Sequence, residues 1–349
     1  MLTNQNMVDS MKQRGLFDEI DRLQELTKLG DPLLSLSEVI KWETFRPILK
    51  QIRIDNPENI KNAGRKPFDE VMMFRVIILQ SLYGLSDDQM EYQLKDRRSF
   101  ERFVSGGDTL YQMPDAKTIW LYKERFKDHG IARKAFRKFN QQLEKANLMA
   151  QSGKIVDASF VEVPRQRNSR EDNKHIKEKG THPEEWSENK KRQKDIEARW
   201  TEKNNQKHYG YKNHISVDRK RKFILEYKVT SAKVHDSQVL FDIVGKARKK
   251  NEAIWGDSAY RSEENEKRLT RKHYLSRIHE KGYRNKQLTQ KQKDRNTSKS
   301  RIRARVEHVF ASIYWQRGNY RRCIGLERIT EAVGFINLAY NMKRYCLYA

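Results

Sequence analysis

The apolar periodicity of this chain changes once, near residue 150, and that change limits the folds open to it. Before it, apolar residues recur at helical spacing: Trp42, Phe45, Leu49 and Ile52 fall at steps of three, four and three on one face of an amphipathic helix. After it, KIVDASFVEV (154–163) alternates and is rich in β-branched residues, as a strand is. At 349 residues the chain is long enough for two domains. The expected division is an all-helical N-terminal domain, 1–148, and an α/β domain, 149–349, with a mixed sheet flanked by helices.

Local signals fill in both halves. Gly64 and Pro67 punctuate the chain before an apolar helix over 69–83, which Gly84 can end. That run is interrupted by Arg75 and Gln80 and is too short to span a bilayer, so it reads as a buried helix. Ser86 with Gln89 forms a capping-box pattern. A loop, SGGDTLYQM, precedes a helix that Asp115 can cap, with Ile119, Tyr122 and Phe126 on one face. A further helix, about 130–148, carries Arg133, Lys134, Arg137 and Lys138 on its exposed side. Such helices build either a helix-turn-helix-like DNA reader or a plain bundle.

Beyond the strand at 154–163, a hydrophilic insertion over about 165–206 is expected to be a mobile arm or loop. HYGYKNHISV and KFILEYKVTSA read as two strands around a DRKR turn. HDSQVLFDIVGKARKK is a helix capped by Asp236 or Ser237, and EAIWGDSAY is a short strand ending at Gly256-Asp257. SEENEKRLTRK is a helix and YLSRI a strand; a basic tract, 281–305, then leads into a helix carrying Glu307. Alternation of this kind builds a sheet with helices on its faces.

Charge separates the halves. Residues 1–150 hold 25 Lys+Arg against 22 Asp+Glu, and the remainder holds 47 against 25, so nearly all of the net +25 lies after residue 150. Such a concentration reads first as a nucleic-acid footprint, and a solvated charged surface is the plainer alternative. No long basic amphipathic helix with an aromatic face supports membrane binding. Cys323 and Cys346 are the only cysteines, which leaves no disulfide framework or cysteine-based zinc site and fits a reducing, cytoplasmic setting. The polar N-terminus has no signal-peptide core.

Against this cationic background three acids stand out. Asp157 lies inside an apolar strand, where an unpaired carboxylate costs several kcal/mol. Asp257 stands at a strand end, where α/β active sites gather. Glu307 sits among Arg301, Arg303 and Arg305, beside an inward stripe of Ile302, Val306, Phe310 and Ile313. Offsets of four and seven set Arg303, Glu307 and Tyr314 on one ridge. Three convergent acids suit Mg²⁺, a hard cation that prefers carboxylates and phosphate. Two such ions, roughly 3.5–4 Å apart, would serve an in-line phosphoryl displacement. Singly, Asp257 also reads as a turn residue and Glu307 as an ion pair with Arg303.

The pieces IVDASFVE, HYGYKNHISVD, AKVHDSQ, IWGDSAYRSEEN and RARVEHVF, in this order, resemble DDE-class insertion-sequence transposases of the IS4/IS5 group (IS5 family). WETFRPIL, GRKPFDEVMMFRVIILQ and MPDAKTIWLYKERF resemble that group's N-terminal domain. The resemblance implies a ribonuclease-H-like catalytic core in which Asp157, Asp257 and Glu307 form the catalytic, metal-binding triad. It implies two Mg²⁺ ions, for which Mn²⁺ can substitute, and a phosphate contact for Arg303. It implies metal-dependent cleavage at terminal inverted repeats and transfer of the freed end into target DNA, with a homodimer pairing two ends. Ser300 and Tyr314 stand where the group often has tyrosine and lysine, so the usual DNA-end contacts pass to Arg317 or to tract residues such as Lys299.

Other candidates are Arg301 and Arg305 for DNA, and His235-Asp236, which match the group's HDS element as a cap or as support for the site. Lys212 and His214 reach DNA from the second strand, or merely occupy an exposed strand face. Trp186 and Trp200 stack on a distorted base or anchor the insertion, with anchoring favoured for Trp200. No zinc spacing or phosphate-binding GxxxxGK[ST] loop occurs. The rival functions are a ribonuclease-H-like nuclease or resolvase that does not join, and a domesticated DNA-binding protein.

Overall fold

Asp69 opens the apolar run by accepting hydrogen bonds from the amides of Val71 and Met72, and Gly84 closes it in the left-handed region at φ 63°. The computed structural model describes residues 18–53, 67–106, 112–149, 152–203, 205–283 and 286–349. Gly64 and most of the loop expected at 105–113 lie outside the described residues.

Before residue 150 the structure is helical: α1 (Asp18–Lys28), α2 (Pro32–Val39), α3 (Arg46–Leu49), α4 (Glu70–Tyr83), α5 (Asp87–Asp96), α6 (Arg98–Ser105), α7 (Ala116–Asp128) and α8 (Ile131–Lys145). Trp42, Phe45, Leu49 and Ile52 are all buried as their spacing requires. They sit on α3 and a 3₁₀ turn at each end of it rather than on one regular helix. The capping box at Ser86 and Gln89 is formed, and Asp115 caps α7 through the Thr118 amide. α4 is buried from Glu70 to Gln80 except at Arg75, whose guanidinium donates to the Phe103 carbonyl at 2.9 Å and lies over the Trp42 ring.

The rest is a mixed sheet with helices: β1 (Lys154–Glu162), α9 (Arg170–Lys179), α10 (Glu188–Gln193), β2 (Arg199–Lys203), β3 (Gln206–Asp218), β4 (Ile224–Ser231), α11 (Asp236–Val244), β5 (Glu252–Gly256), α12 (Glu263–Arg271), β6 (Tyr274–Ile278), α13 (Gln290–Arg303), α14 (Glu307–Trp315) and α15 (Leu326–Tyr345). The order across the sheet is β2-β3-β1-β5-β6, and β4 also pairs with β3. β1 runs antiparallel to β3 and parallel to β5, and β5 runs parallel to β6. Ile155 joins the core shared with the helices before residue 150, and Val156 the core beneath α11 and α12, so β1 is buried on both faces.

The insertion differs from expectation. It folds as α9, α10 and β2 rather than as an arm or loop. Trp186, 4% exposed, holds it together internally, its indole donating to Asp172 of α9 at 2.9 Å, while Trp200, 50% exposed, lies against Arg165 and against Tyr209 of β3. Asp195, buried, adds a second tie by accepting from the Tyr211 hydroxyl and the Gly325 amide. A sequence poor in large apolar residues thus folds around one buried tryptophan and docks through β2, Trp200 and one buried carboxylate.

α15 lies between the sheet and the earlier helices. Asn341 accepts from the Ile224 amide and donates to Asn140 on α8, and Asn337 exchanges hydrogen bonds with Asn213 on β3. A Cβ at Gly334 would lie 2.4 Å from the Tyr227 hydroxyl and 2.8 Å from Ala132 Cβ, so this close crossing requires glycine. α8 begins at Gly130 with no side-chain cap of its own; Glu331 on α15 accepts from the Ala132 amide at 2.8 Å instead. Burial pushes the Glu331 carboxyl up to about 8, against the opposing effect of that amide.

Two stability measurements follow. Because Glu331 is raised in the folded chain, its contribution is fully present below pH 4.5 and is lost as pH rises toward 8. Glu331→Gln should match wild type near pH 4.5 in urea unfolding and exceed it by on the order of 3 kcal/mol at pH 8. A variant weaker at both pH values would mean that the amino end of α8 favours the charged carboxylate. The second concerns Lys154, buried 3.5 Å from Glu252 and donating to the Val244 and Lys246 carbonyls and the Tyr274 hydroxyl. Glu252→Ala leaves that ammonium without a buried counter-charge and should cost about 3–5 kcal/mol. A loss near zero would show that the neutral acceptors suffice.

Candidate active site

β1, β5 and β6 are parallel, so their carboxyl ends share one edge of the sheet, the edge at which α/β folds place ligands. The β1–β5 register pairs Lys154 with Ile254 and Ile155 with Trp255; continued, it sets Asp157 level with Asp257. Asp257 follows β5 and turns the chain by accepting from the Ala259 amide at 2.9 Å. Gly256 lets the strands approach, since a Cβ there would lie 2.9 Å from Val156. The sequence folds this way because an apolar five-residue strand ends at a residue able to cap the following 3₁₀ turn.

Asp157 is 7% exposed. One carboxylate oxygen accepts from the Ala158 amide at 2.8 Å, and the other from Arg303 Nη1 at 2.8 Å. Burial pushes its carboxyl up to about 6; the amide and Arg303 oppose this, and the neighbouring Asp257 charge adds to it. Arg303 ends α13, and its Nη2 lies 3.8 Å from Glu307 at the start of α14. The Glu307 side chain is 65% exposed, whereas Arg303 Nε is buried without a partner. α13 and α14 join through a 3₁₀ turn at Ala304–Val306, with Val306 and Ile313 buried and Ile302 and Phe310 packed against the core. One guanidinium therefore links an interior acid to an exposed one.

Among the described residues, no group of three His, Cys, Asp or Glu side chains is gathered as a metal cage. Asp157 and Asp257 nevertheless present hard oxygens from adjacent strands, and the raised Asp157 carboxyl marks a place where added positive charge is favourable. Their chemistry fits a hard divalent cation. Glu307 faces Arg303 and completes the set only by turning from it.

The remaining expected residues are dispersed. Arg301, Arg305 and Arg317 are exposed, and Arg305 donates to the Arg219 carbonyl at 3.0 Å. Lys299 turns inward to the Ile278 carbonyl at 3.0 Å. The exposed strand face read for Lys212 and His214 is not present. Lys212 donates to Asp236 at 2.8 Å, and His214 is fully buried against Thr230, with burial holding its imidazole down at about 4. Both side chains point into the packing between β3, β4 and α11. The cap of α11 is His235, through the Ser237 amide, rather than Asp236 or Ser237.

Two residues escaped the sequence reading. His279 follows β6 at the same edge, donates its amide to the Gly256 carbonyl and meets Ser300 at 3.3 Å; burial and the Arg303 and Lys299 charges hold its imidazole below the usual range. Tyr260 is completely buried, its hydroxyl unpartnered, and the charges of Asp236, Asp157 and Asp257 add to burial in raising it. A polar residue immediately after a parallel strand was the available signal for His279.

The Transposase DDE domain family matches residues 149–342, and the Transposase domain (DUF772) family matches residues 21–125. No solved structure matches the chain significantly. Among the described residues no helix is long and apolar enough to cross a membrane. DDE domains carry out phosphoryl transfer on DNA and generally use divalent metal ions. With a DDE match over more than half of its length, the chain belongs to the DDE transposase family.

Proposed function

We propose that this chain is an insertion-sequence transposase of the IS4/IS5 group, of the IS5 family, with a ribonuclease-H-like catalytic domain over 149–349. In this reading the helices of residues 1–148 recognise terminal inverted repeats, and two copies pair two DNA ends in the cytoplasm. Asp157, Asp257 and Glu307 hold Mg²⁺, two ions being expected, and the protein cuts at the repeats and joins the freed end to target DNA. The observation that carries the reading is the parallel pairing of β1 with β5, which sets Asp157 beside Asp257 at the edge reached by Arg303 and Glu307. The mixed sheet, with β3 antiparallel beside three parallel strands, supports the ribonuclease-H-like assignment.

Each side chain has a task that its surroundings suit. β1, buried on both faces, holds Asp157 rigidly, and the Ala158 amide fixes one of its oxygens. Asp257 is fixed by its own turn. Arg303 neutralises Asp157, and its part-exposed guanidinium can also meet a phosphate oxygen. Exposed Glu307 can turn toward the two aspartates when a phosphate engages Arg303. The bound cations would activate the attacking oxygen and stabilise the leaving one. Arg301, Arg305 and Arg317 hold the DNA strands through phosphates.

The test uses labelled duplexes carrying the inverted repeats that flank the gene, with Mg²⁺ or Mn²⁺. Asp157→Asn, Asp257→Asn and Glu307→Gln should each lose cleavage and joining by about 10⁴-fold while still binding the ends. Activity retained in Glu307→Gln would return that residue to a plain ion pair with Arg303. Cleavage without joining in wild type would favour a nuclease.

A further inference from the structure

Tyr260 is completely buried, yet its hydroxyl meets no hydrogen-bond partner among the described residues. Its ring belongs to the apolar cluster of Val156, Leu240 and Leu269, a place that phenylalanine would fill as well. An unpaired buried hydroxyl is unfavourable, so its presence asks for a second state in which it is used. We propose that Tyr260 is a positioning residue whose hydroxyl braces the carboxylates of Asp157 and Asp257 from behind when they share a divalent cation. This inference rests on the transposase reading above and adds to it a residue that readies the aspartates for the metal.

The turn that Asp257 caps holds Tyr260 in place. The Tyr260 amide donates to the Asp257 carbonyl at 3.3 Å, and the Tyr260 carbonyl accepts from Asn265 Nδ2 at 2.9 Å. Asn265 also donates to the Ser237 carbonyl at 3.2 Å, which ties this turn to α11. A Cβ on Gly256 would lie 2.9 Å from Val156 Cγ2 and 3.3 Å from Tyr260 Cδ2. The ring therefore packs where the residues preceding the two aspartates meet. Backbone and ring are fixed, and only the O–H bond is left to turn toward an acceptor.

The charges acting on this hydroxyl are all acidic. After burial itself, Asp236, Asp157 and Asp257 in that order hold it well above the usual phenol range. A phenol kept neutral among carboxylates is a donor to them. Asp236 is already committed, accepting from the Lys212 ammonium at 2.8 Å with the His214 ring 3.9 Å away. The aspartate pair is less fully held: Asp157 relies on the Ala158 amide and Arg303, and Asp257 on the Ala259 amide. Arg303 gives up part of its hold on Asp157 when a cation is shared there, and the Tyr260 hydroxyl then supplies the replacement donor. Carboxylates that bind metals are commonly steadied by such a second hydrogen bond, and removing it costs about 10–100-fold in metal affinity or activity.

The experiment compares the full-length protein with Tyr260→Phe, which keeps the ring and removes only the hydroxyl, and with Tyr274→Phe as a control. The Tyr274 hydroxyl is also buried but donates to the Val244 carbonyl and accepts from Lys154, so its loss should lower the urea midpoint. Without metal, Tyr260→Phe should unfold at a urea concentration equal to or above that of wild type, because it loses no hydrogen bond. Its Mn²⁺ affinity, read by electron paramagnetic resonance on the DNA-free protein, should fall by about tenfold or more. The kcat for cleavage of the flanking ends should fall with it while KM for DNA stays constant. Tyr274→Phe should keep the wild-type Mn²⁺ affinity. Unchanged Mn²⁺ affinity in Tyr260→Phe would overturn the proposal and leave the transposase reading intact. A lower urea midpoint for metal-free Tyr260→Phe would also overturn it, since the hydroxyl would then be holding the fold itself. Wild type that neither binds Mn²⁺ nor cleaves would remove both readings together.

Discussion

The structure depends on the burial of α15 on both its faces. The helix is too polar to be an ordinary core helix, yet Asn337 and Asn341 are completely buried. Each buried amide finds a partner across the interface: Asn213 and the Ile224 backbone on the sheet, Asn140 on α8. A buried amide left unpaired costs more than a paired one gains, so these contacts fix the helix in one register. Glu331 and Gly334 act at the same crossing, one capping α8 and the other permitting its approach. In consequence the early helices and the sheet share one continuous core, which runs from Leu33 to Met342.

That arrangement also holds β1, the strand of Asp157, in place. Asp157 is buried where a lone carboxylate would be unfavourable, and the structure relieves it by two means: an adjacent amide and the Arg303 guanidinium. Burial still holds the Asp157 carboxyl above its usual range, and the neighbouring Asp257 charge adds to this. A site in this condition favours cations and, through Arg303, anions that bring cations with them. The interior tie of Arg303 to Asp157, with Glu307 at its outer side, explains why an acid stands in the densest arginine cluster of a chain of net charge +25.

Much of this was legible in the residues. The strand around Asp157, the hairpin of β3 and β4, the strand end at Asp257 and the caps at Ser86 and Asp115 follow from alternation and local hydrogen-bonding chemistry, which act over a few residues. Where the reading missed, distant contacts decided. Trp186 closes the insertion on itself because Asp172 lies in reach of its indole, while Trp200 lies against Tyr209 of β3. Lys212 and His214 read as an exposed strand face, but α11 covers them and Asp236 takes the ammonium. His279 reached the site only because β6 runs parallel to β5.

The sequence by itself determined that a helical half precedes a cationic α/β half, and which three acids stand out in that half. It did so because periodicity, capping and charge are properties of neighbouring residues. Only the tertiary structure decided which side chains meet. The parallel register of β1 and β5 sets Asp157 level with Asp257, the 3₁₀ turn at Ala304–Val306 swings Arg303 onto Asp157, and the packing at Gly256 brings Val156 and Tyr260 together. Each joins residues far apart in the chain, and no local pattern encodes such distances.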